Sequence, residues 1–202
     1  MPANKAFVLG LTGGIGCGKS KAAEHLSSLG AKHIDADAIS RALTAENGEA
    51  LPEIRRVFGD EVFFEDGRLN RRALGDVVFN DPAAKRALEA IIHPLVQRKA
   101  MDEIESAEEA VAVLDVPLLF ETGMDVLCDE CWTLSASTEV QVQRVMERDG
   151  LSEEQALARI SSQMTMEERD SRADKVISSE RPIEKTRSEL ASLYAQLLRR
   201  IG

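Results

Sequence analysis

The chain has 202 residues, 44% hydrophobic and 30% charged, which suffices to bury the core of one α/β domain with insertions and includes no apolar run approaching a membrane span. Its net charge of −10 argues against a nucleic-acid partner, since a polyanion calls for a basic surface, and leaves the local arginine clusters better suited to small phosphorylated ligands. The first strand begins almost at once, with no room for a signal peptide, so a cytoplasmic location is expected.

Phe7-Val8-Leu9-Gly10-Leu11 is a short apolar run that predicts a buried strand over 6–11. Gly13-Gly14-Ile15-Gly16-Cys17-Gly18-Lys19-Ser20 then fits G-x-x-x-x-G-K-[ST] at every fixed position. Ala22, Ala23, Leu26 and Leu29 recur at helical spacing over 19–29, and Gly30 is placed to close the helix. Strand, glycine loop and helix are what a phosphate cradle requires. The glycines turn backbone N–H groups inward, and the helix adds free N–H groups and the positive end of its dipole. Lys19 can reach the β- and γ-phosphates, and the Ser20 hydroxyl can take a Mg²⁺ position.

A second strand, Lys32-His33-Ile34, ends in Asp35-Ala36-Asp37. Acids beyond the carboxyl end of a strand in a doubly wound sheet face the ligand crevice. The alternative is a helix N-cap, because Asp37 precedes the helical pattern Ala38–Leu43; both hold if one acid caps while the other faces solvent or substrate.

Residues 46–108 read as a helical insertion. Leu51, Ile54, Val57 and Phe58 make one apolar face closed by Gly59; Glu65-Asp66-Gly67 is a turn; Asn70 can cap a helix carrying Ala73, Leu74, Val77 and Val78. Asp81-Pro82 is an N-cap with proline at the first helical position, followed by the stripe Ala87, Leu88, Ile91 and Ile92. His93-Pro94 is expected to break that helix before another begins at Leu95, Val96 and Ile104.

Val111–Leu114 predicts a third strand whose terminal Asp115 resembles the Mg²⁺-supporting acid of phosphate-loop enzymes. Trp132-Thr133-Leu134 and Lys175-Val176-Ile177 supply a fourth and a fifth. Cys128 and Cys131 form an isolated C-x-x-C with no second ligand pair and read as ordinary residues. Thr138…Gln141, Ser152…Gln155 and Thr165…Glu168 each match a capping box, so several short helices are expected between these strands. Arg144 and Arg148 share one helix face, and Arg159, Arg169 and Arg172 follow. These arginines form either a solvated face paired with Glu147, Glu167 and Glu168 or a lid that closes on a triphosphate. A last amphipathic helix begins at Pro182, with Ile183, Leu190, Leu193, Leu197 and Ile201 inward. The expected fold is a P-loop NTPase-type parallel five-stranded sheet flanked by helices, with a helical insertion and an arginine-rich lid.

A phosphate loop, an acid pair, a helical insertion and an arginine lid suit a small-molecule kinase. A GTP switch would need Asn-Lys-x-Asp at a strand end, whereas Asn4-Lys5 precedes the first strand. The ordered stretches LTGGIGCGKS, IDAD, GRLNRRAL with VFNDP, IIHPLV and DVPLLFETG resemble the dephospho-coenzyme A kinase family, as do Gln141–Arg144, Gln163, Arg169 and Ala173-Asp174. The resemblance runs over nearly the whole chain and implies a single domain over 1–202. Its nucleotide-binding core would comprise 1–45, 109–137 and 173–202, with a coenzyme A-binding insertion at 46–108 and a lid at 138–172. It implies transfer of phosphate from ATP, with Mg²⁺, to the 3′-hydroxyl of the dephospho-coenzyme A ribose; another small-molecule or nucleoside monophosphate kinase is the alternative. Gly13, Gly14, Ile15, Gly16, Cys17, Gly18 and Lys19 would then hold ATP together with Arg148, and Ser20 would hold Mg²⁺, with Asp35 and Asp115 acting on it through water. Asp37 would orient the acceptor hydroxyl, and Arg144 would reach the transferring phosphate. Arg71, His93, Leu118, Leu119 and Glu121 would face the coenzyme A moiety. The chain departs from the family pattern at Lys21, at Asn70 and at Ser178-Ser179-Glu180, the last of which lies near the adenine in this family.

Overall fold

A computed structural model describes residues 6–202; Asn4-Lys5 and the first five residues of the expected core segment lie outside the described residues. The chain forms two compact units, one of the described residues up to Ile34 together with Glu103–Gly202, the other Asp35–Asp102.

The first unit is built on a sheet in the order β2-β3-β1-β4-β5, from β1 (Phe7–Gly13), β2 (Lys32–Asp35), β3 (Val111–Asp115), β4 (Glu130–Ser135) and β5 (Lys175–Ser178). The central strand β1 pairs in parallel with β3 and β4, and β4 with β5. Connections leave β1 and β3 in opposite directions, so the crevice beyond their carboxyl ends is the topological switch point where such sheets take ligands. β1 and β3 are almost wholly buried, which explains their continuous apolar reading.

Helix α1 (Lys19–Ser28) turns Ala22, Ala23 and Leu26 onto Leu9, Leu11, Trp132 and Leu134 of the sheet. It ends as its sequence requires: Gly30 (φ 98°) donates to the Ser27 carbonyl at 3.0 Å and Ala31 to Leu26 at 3.3 Å, the paired bonds of a Schellman cap. The C-terminal helix, Ile183–Ile201, adds Leu190, Tyr194 and Leu197 to the same core. Its first residue, Ile183, is exposed rather than inward, because buried Thr186 opens the inner stripe one turn later and donates to the Ser178 carbonyl.

Between β4 and β5 run α6 (Thr138–Asp149), α7 (Glu153–Ser161) and α8 (Met166–Arg172). Ser152–Gln155 and Thr165–Glu168 are complete capping boxes, whereas Thr138–Gln141 is not. There the helix starts one residue earlier, with Ser137 as N-cap, and buried Gln141 sends its amide to the Ala136 carbonyl at 2.8 Å.

The second unit contains α2 (Ala36–Leu43), α3 (Leu51–Phe58), α4 (Arg71–Asn80) and most of α5 (Pro82–Glu105). Asn70 caps α4 by accepting from the Ala73 N–H at 3.1 Å, so Asn serves as well as Asp there. His93-Pro94 does not break its helix: α5 runs through with Pro94 inside it. An interior proline costs about 3 kcal/mol. Past it, Val96, Ala100 and Ile104 form one buried stripe at four-residue spacing, and that packing outweighs the lost hydrogen bond.

Candidate active site

β1 passes directly into the phosphate loop. Gly16 holds φ at 81°, in the left-handed region, and a Cβ there would sit 3.0 Å from the Gln141 carbonyl oxygen. A Cβ on Gly14 would lie 2.9 Å from Gln141 Oε1 and 3.2 Å from Arg169 Nη1. The loop therefore leans on α6 and α8 at distances only glycine permits. Gly18 is the N-cap of α1 and no side chain among the described residues caps that helix, so its first N–H groups remain directed at the loop mouth. Cys17 fills space under the loop; burial pushes its thiol up, with the Arg169 and Arg144 charges opposing.

Lys19 projects from the first turn of α1 to an ion pair with Asp115 at the end of β3. The register that sets Leu11 opposite Asp115 brings this acid to the switch point. Asp115 is 4% exposed, and a carboxylate that deep requires donors; Lys19 takes Oδ1 and His33 Nε2 lies 3.1 Å from Oδ2.

Arg144 on α6 is bound to the core. Its guanidinium donates to the Gly16 carbonyl and Ser179 Oγ, each at 3.1 Å, and to the Ser179 carbonyl at 2.6 Å. The Ile15 N–H donates to Gln163 Oε1 at 2.9 Å, and Ile15 packs with Val142, Val145 and Ala156 of α6 and α7. The helices expected as a lid thus rest on the loop. Arg169 is 3% exposed, donates to the Met164 carbonyl at 2.8 Å, lies 3.6 Å from Glu121, and has a buried Nε with no partner among the described residues.

Several expected residues are placed otherwise. Arg148 does not join Arg144: with Arg159 it is paired to Asp149 at the exposed end of α6. Leu119 is fully buried, 3.0 Å from where a Cβ on Gly10 would be, so it packs on β1 rather than facing a substrate. Its neighbour Leu118 is exposed. Glu121 accepts from the Met164 N–H at 3.1 Å and faces Arg169. Among the described residues none of the lid arginines pairs with Glu147, Glu167 or Glu168; Asp149 takes Arg148 and Arg159, Glu121 takes Arg169 and Asp125 takes Arg172. Ser20 is exposed in the first turn of α1. The thiol of Cys128 donates to the Met124 carbonyl at 3.7 Å, and the neighbouring Cys131 thiol together with burial pushes Cys128 up.

In the second unit, the N-cap of α2 is Asp35, not Asp37. Asp35 Oδ1 accepts from the Ala38 N–H at 3.0 Å and Oδ2 from Arg41 at 3.3 Å. Asp35 thus serves as the cap of α2. Asp37 is exposed in the first turn of α2. Arg71 opens α4 and donates to the Arg41 and Thr44 carbonyls at 3.3 and 3.1 Å. His93 is exposed on α5.

Gln141, Gln163 and His33 contact the loop or its ion pair, and Ser179 holds Arg144, without having been expected to; Arg169, expected only among the lid arginines, lies against Gly14. Gln141, Gln163 and Arg169 stand in stretches that carry the family resemblance, and Ser179 in the turn where the chain departs from the family pattern, which were usable signals; nothing in sequence marked His33. For Mg²⁺, Ser20 and Asp115 offer hydroxyl and carboxylate oxygen, the hard donors that ion takes alongside substrate phosphates.

A parallel sheet with a phosphate loop at its switch point, a lysine and an acid across the crevice, and arginine-bearing helices beyond defines a P-loop kinase. A family model described as Dephospho-CoA kinase matches residues 7–185. A dephospho-CoA kinase of Syntrophotalea carbinolica is 43% identical over 195 residues, covering 95% of this chain and 92% of the relative. One of Aromatoleum aromaticum is 45% identical over 196 residues, covering 95% and 90%. The solved dephospho-CoA kinase of Campylobacter jejuni superposes with a TM-score of 0.72 at 29% identity, over 94% of this chain and 96% of that one. The chain belongs to the dephospho-CoA kinase family, and is thereby an ATP-dependent phosphotransferase.

Proposed function

We propose that the chain transfers the γ-phosphate of ATP to the 3′-hydroxyl of the ribose of 3′-dephospho-CoA, giving CoA and ADP, in the cytoplasm. The observation that carries the proposal is the phosphate loop meeting Asp115 through Lys19 at the β1–β3 switch point in a chain of this family. Residues Gly13 to Lys19 hold the ATP phosphates with backbone N–H groups and the lysine ammonium. Ser20 and, through water, Asp115 would hold Mg²⁺, which when bound would offset negative charge on the phosphates. Arg144 sets a planar guanidinium beside the loop, where charge shifts during transfer. Asp37 orients the acceptor hydroxyl and takes its proton, as positioning and electrostatics carry most of this chemistry. Arg71, His93 and Leu118 contact the coenzyme A moiety.

The test is ADP release measured over a panel of acceptors with ATP and Mg²⁺, using Lys19→Ala as the inactive control. Turnover of dephospho-CoA is expected to exceed that of nucleoside monophosphates, shikimate and gluconate by orders of magnitude. Equal or faster turnover of another acceptor would sink the proposal.

A further inference from the structure

We propose that His33 is a positioning residue: it holds Asp115 in place while Lys19 transfers its ammonium from that carboxylate to the nucleotide phosphates. The inference rests on the phosphate-binding role given to Lys19 above. Its observations are three. Asp115 is 4% exposed and takes two side-chain donors among the described residues, Lys19 on Oδ1 and His33 on Oδ2 at 3.1 Å. His33 comes from β2, next to β3 in the sheet, so its position is independent of the loop and of α1. Its side chain is 30% exposed, against 14% for Lys19, so its bond to Asp115 is not needed to fill the core.

The physical argument concerns what remains when Lys19 moves. A carboxylate paired with an ammonium is an acceptor only, so the His33 ring carries its hydrogen at Nε2. An ammonium that turns to phosphate oxygens leaves Asp115 buried and short of a donor, which opposes the transfer. His33 is the donor that stays. It lowers the cost of releasing Lys19, and by fixing Oδ2 it keeps Oδ1 on the lysine side of the crevice. Without it, Asp115 would grip Lys19 more tightly and nucleotide would bind more weakly.

The experiment is titration calorimetry with the Mg²⁺ complex of a non-hydrolysable β,γ-imido ATP analogue. His33→Leu is expected to weaken binding by about tenfold, the worth of a hydrogen bond to a buried charge. His33→Gln, which keeps an N–H donor, should recover most of that loss. Melting temperatures of the free variants should fall only slightly, since Lys19 still pairs with Asp115 when no nucleotide is bound. In an Asp115→Asn background, where no buried charge needs holding, His33→Leu should change nothing further. Unchanged affinity in His33→Leu, or an equal loss in the Asp115→Asn background, would overturn the inference while leaving the kinase reading intact. An unmodified chain that bound no analogue would overturn both.

Discussion

At the scale of single residues, the two acids after β2 separate cleanly. Asp35 caps α2, so Asp35→Ala should lower stability by about 1 kcal/mol. Asp37 lies within the first turn of α2, where Asp37→Asn keeps the shape of the side chain and its capacity to accept a hydrogen bond. On the proposed chemistry it nonetheless loses roughly 10²–10⁴-fold in kcat, with ATP affinity retained. Kinetics and thermal melts on both variants check this, and a catalytically normal Asp37→Asn would remove that residue from the mechanism. Arg144 makes three bonds through two nitrogens of one planar fork. Lysine keeps the charge but cannot reproduce that geometry. Arg144→Lys should accordingly fail to rescue Arg144→Ala, whose kcat is expected to fall on the order of 10³-fold. A loss confined to KM in steady-state assays would recast Arg144 as a binding residue.

At the scale of elements, the joint between β4 and the last helix titrates. Glu130 is buried at the start of β4; burial alone would raise its carboxyl, but the Trp132 indole N–H at 2.8 Å, the Arg200 guanidinium and the Lys175 charge hold it below the usual carboxylate range. A carboxyl depressed on folding contributes stability above its unfolded pKa, about 4.3 for Glu, and loses it as pH falls through the lower folded value. Glu130→Gln should thus melt below the unmodified chain at pH 7, with the gap closing below about pH 4. A gap constant from pH 7 to pH 3 in thermal melts would show that the ion pair is screened out. The continuous α5 teaches a related lesson: His93-Pro94 is a sound stop signal locally, yet the stripe Val96, Ala100 and Ile104 carries the helix through it. Likewise Thr138–Gln141 satisfies the capping-box pattern, but Gln141 is drawn inward to Ala136 and the cap shifts to Ser137.

At the scale of the whole molecule, elements whose signals are local were legible in the sequence. The phosphate loop was legible because its glycines meet a backbone requirement that no other residue meets. The strands β1, β3 and β4 were legible because parallel strands buried on both faces read as apolar runs, and the Gly30 and Asn70 caps because capping is decided within a few residues. Contacts across distant segments were not. Arg144 reaches Ser179, thirty-five positions away, and Gln163 reaches Ile15 across 148. His33 meets Asp115 only because β2 lies beside β3 in the sheet. Arg148 looked equivalent to Arg144 by helical spacing, and only the neighbouring Asp149 at the open end of α6 drew it away. The sequence by itself determined the family, the phosphate loop and the order of the strands along the chain, because each depends on residue type at short spacing. The tertiary structure decided which arginine touches the loop, which acid caps and what holds Asp115, because those depend on strand order and on the need of each buried charge for a partner.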